Sequence, residues 1–271
     1  MRLLFLGDVV GRAGREAVVE RLPWLRARLA IDCAVVNAEN AAGGFGVTAE
    51  IAEALFDAGA DILTTGNHWA DQRESLTFYD REPRLLRPAN YPDGTPGRGA
   101  TLHRLADGRQ VLVVNVMGRV FMEALDCPFA AAETALLQAP LGQVADAIIV
   151  DIHAEATSEK MAMGHFCDGR ASLVVGSHSH VPTADAQVLP GGTAFQTDGG
   201  ACADYNSVIG MDPAEPLQRF VRRMPTGRMQ PALGPATVCG VFVETDDRTG
   251  LARRIAPVRL GGRLAETVPE A

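Results

Sequence analysis

The sequence predicts an α/β fold of layered β-sheets flanked by helices, with a functional site at the carboxyl ends of its strands. Three observations carry this expectation. Short β-branched-rich runs recur along the chain, helical stretches separate them, and several runs end in side chains able to bind a metal. Apolar runs that alternate only loosely suit strands covered on both faces. Their interleaving with helices indicates a layered α/β arrangement.

The strand candidates are residues 3–6, 33–36, 62–64, 111–116, 147–152, 173–175, 193–196, 238–244 and 254–259. Helices are expected over 15–29, 49–58, 72–79, 130–138, 159–166 and 216–222. Residues 245–250 connect the last two strands and read as the turn of an antiparallel hairpin at a sheet edge. Two Gly/Pro-rich stretches, 88–99 and 225–235, read as surface loops of one domain spanning 1–271. The tail from Gly261 onwards is expected to be poorly ordered.

Composition narrows the class. Of 271 residues, 47% are hydrophobic, enough for a sizeable core. The formal net charge of -8 lacks the basic footprint of a general nucleic-acid binder. A small anionic substrate remains compatible, because bound metals invert the local field. The five cysteines are widely spaced with no C-x-x-C, so neither a disulfide framework nor a zinc knuckle is expected. No signal h-region or run of about 18 apolar residues is found, so the expectation is a cytoplasmic protein without a membrane span.

The strand ends carry the chemistry. Leu6 leads into Gly7-Asp8, Val36 into Asn37-Ala38-Glu39-Asn40, and Thr64 into Thr65-Gly66-Asn67-His68. Ile152 leads into His153-Ala154-Glu155, and Val175 into Gly176-Ser177-His178-Ser179-His180. Parallel neighbours would gather these ends at one rim, where ligands sit in open α/β sheets. Taken singly, Asp8 fits a helix cap or turn, Asn67 a turn, and His153 a hydrogen-bonded core histidine. His178-x-His180 is a stronger signal, since on a strand that spacing points both rings the same way.

The candidate ligands are Asp8, Glu39, Asn67, His153, His178 and His180, with Asn40 a further candidate. They mix oxygen and imidazole donors, which suits iron, manganese or zinc better than magnesium or calcium. They are too many for one tetrahedral ion. Two ions sharing a carboxylate fit better, with Glu39 as the bridge. Gly43-Gly44-Phe45-Gly46 reads either as a phosphate-approach loop or as a flexible one. Arg119 reads as a surface residue more than a phosphate contact. His103 and His165 lie away from strand ends, and Met161-Ala162-Met163 reads as core packing.

These motifs resemble the calcineurin-like metallophosphoesterases. The match is closest to their YmdB-like branch, through Asn37 to Gly44, His153 to Lys160 and His178 to Asp185. The chain lacks the superfamily's usual Asp-x-His after the first strand and has Glu39 where an Asp is usual; the branch shares both changes. The resemblance implies one metal held by Asp8, Glu39, Asn40 and His180, and a second held by Glu39, Asn67, His153 and His178. It implies His68 as proton donor, iron or manganese as metal, and a homo-oligomer.

The activity that the resemblance implies is hydrolysis of phosphodiesters, cyclic nucleotides such as 2′,3′-cyclic AMP among them, with phosphomonoesters as a side activity. A hydroxide would attack phosphorus in line while His68 protonates the departing oxygen. Two other classes stay open at this point. One is a metal-dependent regulatory or binding protein with little turnover. The other is an amidohydrolase-type enzyme, although that class places its His-x-His after the first strand of a barrel.

Overall fold

The computed structural model describes residues 1–270. Its strands are β1 (Arg2–Leu6), β2 (Asp8–Val9), β3 (Cys33–Asn37), β4 (Ile62–Thr64), β5 (Ala100–Arg104), β6 (Gln110–Met117) and β7 (Ala147–His153). They continue with β8 (Leu173–Ser177), β9 (Gln187–Val188), β10 (Ala194–Gln196), β11 (Ala201–Asp204), β12 (Ala236–Thr245) and β13 (Ala252–Leu260). The helices are α1 (Gly11–Leu29), α2 (Ala49–Asp57), α3 (Leu76–Arg81), α4 (Pro128–Gln138), α5 (Thr157–Cys167) and α6 (Ala214–Arg222).

The strands form two sheets. One has the order β2-β11-β12-β1-β3-β4, with β13 added beside β12; the other has the order β5-β6-β7-β8-β10-β9. Side chains alternate across each strand and so divide between two cores. Leu3, Phe5 and Val35 from the first sheet meet Val113, Ile149 and Val175 from the second in the space between the sheets. Leu4 and Leu6 face outward onto Val18, Leu22 and Leu25 of α1. Val114 and Val150 face outward onto Ala132 of α4 and Met163 of α5. The result is helix, sheet, sheet, helix. It is not a closed barrel, which removes the amidohydrolase-type alternative.

This layering positions the site. Strands β1, β3 and β4 are parallel to one another, as are β6, β7 and β8. Asn37, at the end of β3, donates to Asp151 of β7 and Ser177 of β8, so the carboxyl ends of both sets meet.

Several expectations need correction. α1 begins at Gly11, four residues before the expected start. Gly11 and Gly14 weaken the local helical signal, yet a Cβ on Gly14 would sit 2.1 Å from the Cys202 carbonyl oxygen, so close packing requires that glycine. Strands β2, β5, β9 and β11 were not foreseen. Two of them are two residues long. β11 is built from small residues, and β5 is a half-exposed edge strand. The tail folds back on β13: Arg259 and Thr267 exchange backbone hydrogen bonds, and Val268 packs against the helix-side core. Left-handed φ values of 71° and 63° at Gly261 and Gly262 allow the reversal. Met163 is buried, but Met161 is 42% exposed, so only half of that pair is core.

Candidate metal centre

Each ligand candidate stands just beyond or at the end of a strand. Asp8 starts β2; it is not a helix cap, since Val10 occupies the N-cap of α1. Glu39 and Asn40 follow β3, Asn67 follows β4, His153 ends β7, and His178 and His180 follow β8. Asp8, Glu39, Asn40, His153 and His180 are buried. Asp8, Glu39 and His153 offer donor atoms within 4.8 Å of one another, without which no single ion could be shared among them.

The donors form two adjoining groups. In one, His153 Nε2 lies 2.5 Å from Glu39 Oε2, 3.1 Å from Asn67 Oδ1 and 3.1 Å from His178 Nδ1. In the other, His180 Nε2 lies 3.2 Å from Asn40 Oδ1 and 3.8 Å from Asp8 Oδ1. Asp8 Oδ1 also lies 3.8 Å from His153 Nδ1, which links the groups. Asn40 Nδ2 donates to the Gly44 carbonyl, so its Oδ1 is the atom turned to His180.

Whether these residues suit metal ions is tested by what they lack. Glu39 Oε2 is fully buried and makes no aligned hydrogen bond, despite its nearness to His153 Nε2. Buried polar atoms are almost always partnered. Two lone-pair donors converging on one point without a hydrogen bond fit a shared cation. A cradle is kept clear for it: a Cβ on Gly66 would sit 2.1 Å from Glu39 Oε2 and 2.2 Å from His153 Nε2.

Electrostatics point the same way. Burial pushes the Glu39 carboxyl up, but His153, His68 and His178 hold it down at about 2. Burial pushes the His153 imidazole down, yet Glu39, Asp8 and Asp151 hold it up at about 8. Burial, then the neighbouring His153, press His178 down to about 3. Asp8 is raised by burial, with Asp198 and Glu39 adding to the effect against the pull of His180 and His153. The cluster calls for positive charge at its centre, and a proton on His153 supplies only one unit of it.

Beneath the donors lies a polar layer that the sequence did not reveal. Asp151 is fully buried and accepts from Thr64 Oγ1 at 2.6 Å, Asn37 Nδ2 at 3.1 Å and Ser177 Oγ at 2.6 Å. Because Ser177 donates to Asp151, its oxygen receives the Nδ1–H of His153 at 2.9 Å. That leaves the His153 Nε2 lone pair facing Glu39, the arrangement that orients imidazole ligands. Asp151 sits inside an apolar strand, and that placement of a carboxylate was the available signal.

The spacing argument for His178 and His180 needs revision. Both lie in a turn beyond β8, with left-handed φ values of 90° and 63°. Their rings diverge, one toward each donor group.

His68 is beside the cluster. Its backbone N–H donates to Glu39 Oε1, and its Nδ1 lies 2.8 Å from Asp71 Oδ2. Phe45 meets the ring edge-on at 5.0 Å. The loop carrying Phe45 is fastened by Gln72 and Asn40, so it is an anchored loop even though Gly43, Gly44 and Gly46 have positive φ. Arg119 is exposed, and its backbone N–H donates to Glu159. His103 lies on edge strand β5 and His165 on the exposed side of α5.

Comparison with known proteins places this geometry. The family model described as "YmdB-like protein" matches residues 4–258. A Bacillus subtilis protein named 2′,3′-cyclic-nucleotide 2′-phosphodiesterase is 45% identical over 255 residues, covering 94% of this chain and 95% of that protein. A solved structure of a hypothetical protein from Thermus thermophilus superposes with a TM-score of 0.89 at 40% identity, over 97% of this chain and all of that one. A solved structure of a Mycoplasma pneumoniae phosphatase has a TM-score of 0.89 at 30% identity, over 96% of this chain and 93% of its own.

Proposed function

This chain belongs to the YmdB-like family and is a hydrolase of phosphate esters, and on that premise we propose that it is a dinuclear phosphodiesterase acting on cyclic nucleotides, 2′,3′-cyclic ones among them. The observation that carries the metal-dependent part is the convergence of buried Glu39 Oε2, 2.5 Å from His153 Nε2, with donors from both sheets. The substrate class is supported by the name of the Bacillus subtilis relative. Because the donors come from both sheets, the whole chain is proposed to work as one domain.

In this reading Asp8, Glu39, Asn40 and His180 hold one ion, and Glu39, Asn67, His153 and His178 hold the other. The mixed nitrogen and oxygen donors suit iron, manganese or zinc, and the family resemblance favours iron or manganese among them. Bound there, the ions would offset phosphate charge and acidify water at neutral pH. The protein's own contribution is arrangement. Ser177 and Asp151 fix the His153 ring, and Asn40 presents an oxygen because its amide nitrogen is engaged by Gly44. Asp71 fixes the rotation of His68 through Nδ1, which leaves Nε2 to deliver a proton to the departing oxygen. A ribose oxygen departs poorly without that proton.

The test is turnover of 2′,3′-cyclic, 3′,5′-cyclic and linear diesters and of monoesters, with metal content measured on the same sample. Turnover of a cyclic diester that scales with metal content is the expected result. Full metal content with no diester turnover would refute the proposal.

A further inference from the structure

Lysine and arginine together number 25, and Lys160 is the only lysine among them. It is also wholly buried. A chain that uses arginine at every other cationic position keeps a compact ammonium at this one. A buried ion pair adds little stability over apolar packing of the same volume. The geometry around Lys160 shows another use for it.

Lys160 Nζ donates to Asp198 Oδ2 and to Ser179 Oγ, both at 2.7 Å. Asp198 Oδ2 also accepts the Ser179 backbone N–H at 3.1 Å, and its Oδ1 accepts that of Gly200 at 2.8 Å. The three side chains therefore close a ring of contacts around Ser179. That residue separates His178 from His180, the two histidines with left-handed backbone. Non-glycine residues hold such conformations only when their surroundings impose them. One of these histidines serves each donor group.

We propose that Lys160 and Asp198 are positioning residues that impose the His178–Ser179–His180 turn and so tune both metal sites at once. The proposal rests on reading the cluster as a two-metal centre. It also accounts for lysine at this position. The lysine stem runs against Gly176, where a Cβ would come within 2.6 Å of Lys160 Cδ. A planar guanidinium with five donors fits neither that space nor the two acceptors.

The experiment compares wild type with Ser179→Ala, Lys160→Arg and Lys160→Met. Ions per chain are measured across a chelator titration, alongside circular dichroism and thermal unfolding of the metal-free forms. Ser179→Ala removes one contact and leaves the ion pair in place, so it keeps the test open if Lys160→Met does not fold. The expected result is a folded Ser179→Ala protein that releases both ions at tenfold or more lower chelator strength. Lys160→Arg is expected to fail to restore wild-type retention. Wild-type retention by Ser179→Ala and Lys160→Arg would overturn the proposal, as would weakening of one ion alone. Those outcomes leave a metal-loaded wild type, whereas a wild type that takes up no metal would sink the two-metal reading itself.

Discussion

His153 Nε2 and Glu39 Oε2 stand 2.5 Å apart in a fully buried space, and no aligned hydrogen bond joins them. One comes from the second sheet and the other follows a strand of the first. If Glu39 is shared between two ions, Glu39→Ala removes a donor from each. Elemental analysis of the purified variant should then show neither ion retained, against close to two per chain for wild type. One ion kept at full occupancy would show that Glu39 does not bridge.

The diverging rings of His178 and His180 predict separate losses. His178→Ala should weaken the ion that shares Asn67 and His153, because its Nδ1 faces His153 Nε2 at 3.1 Å. His180→Ala should weaken the ion beside Asn40 and Asp8. Each variant should keep about one ion per chain under mild dialysis. Spectroscopy on mixed-metal samples distinguishes which ion remains, and identical spectra from the two variants would contradict the division.

His68 touches the cluster only through its backbone and holds Asp71 through Nδ1. His68→Ala should therefore keep its metal. A nitrophenolate departs without protonation, so kcat on a nitrophenyl ester should fall little. On a cyclic nucleotide it should fall by about 10²–10⁴, the usual range for general acid–base catalysis. Equal losses on both substrates at unchanged metal content would leave His68 a phosphate-positioning residue.

Protons and metal ions compete for the same buried atoms, so the metal-free protein should show a pH signature. His153 is raised to about 8 in the folded state, from an ordinary value of 6.5. Its contribution is fully present below pH 6.5 and is lost as pH rises through about 8. His178, depressed to about 3, acts in the opposite direction: it lowers stability as pH falls below 6.5. Above pH 6.5 His153 is the one of the two that still changes charge, so the metal-free Tm is expected to decline between pH 6.5 and 8. In His153→Asn the decline on the alkaline side should disappear. A wild-type Tm that rises steadily from pH 6.5 to 8 would contradict the charge assignment at His153.

What was legible in the sequence follows from local rules. Strand-end motifs such as Gly7-Asp8, Gly66-Asn67-His68 and the run from Gly176 to His180 are visible because a strand's end and its next residues are contiguous. The structure brings every one of those candidates to one place. Elements whose signal is weak in composition were not legible: β11 has only small residues, and the tail returns to β13 through paired glycines. Asp151 and Ser177 show their purpose only through partners from distant positions, Thr64 and Asn37 among them.

The sequence alone determined the fold class, the candidate donors and the order in which they leave the strands, since each depends on neighbours along the chain. Only the tertiary structure decided which strands pair in which of the two sheets, that His178 and His180 diverge, and that the sole lysine is buried under the turn between them. Those outcomes depend on contacts across 19 to 140 positions of sequence, such as Lys160 with Ser179 and Asn40 with His180. Hydrophobic periodicity reports which face of a strand is buried, but not which distant polar group it meets there.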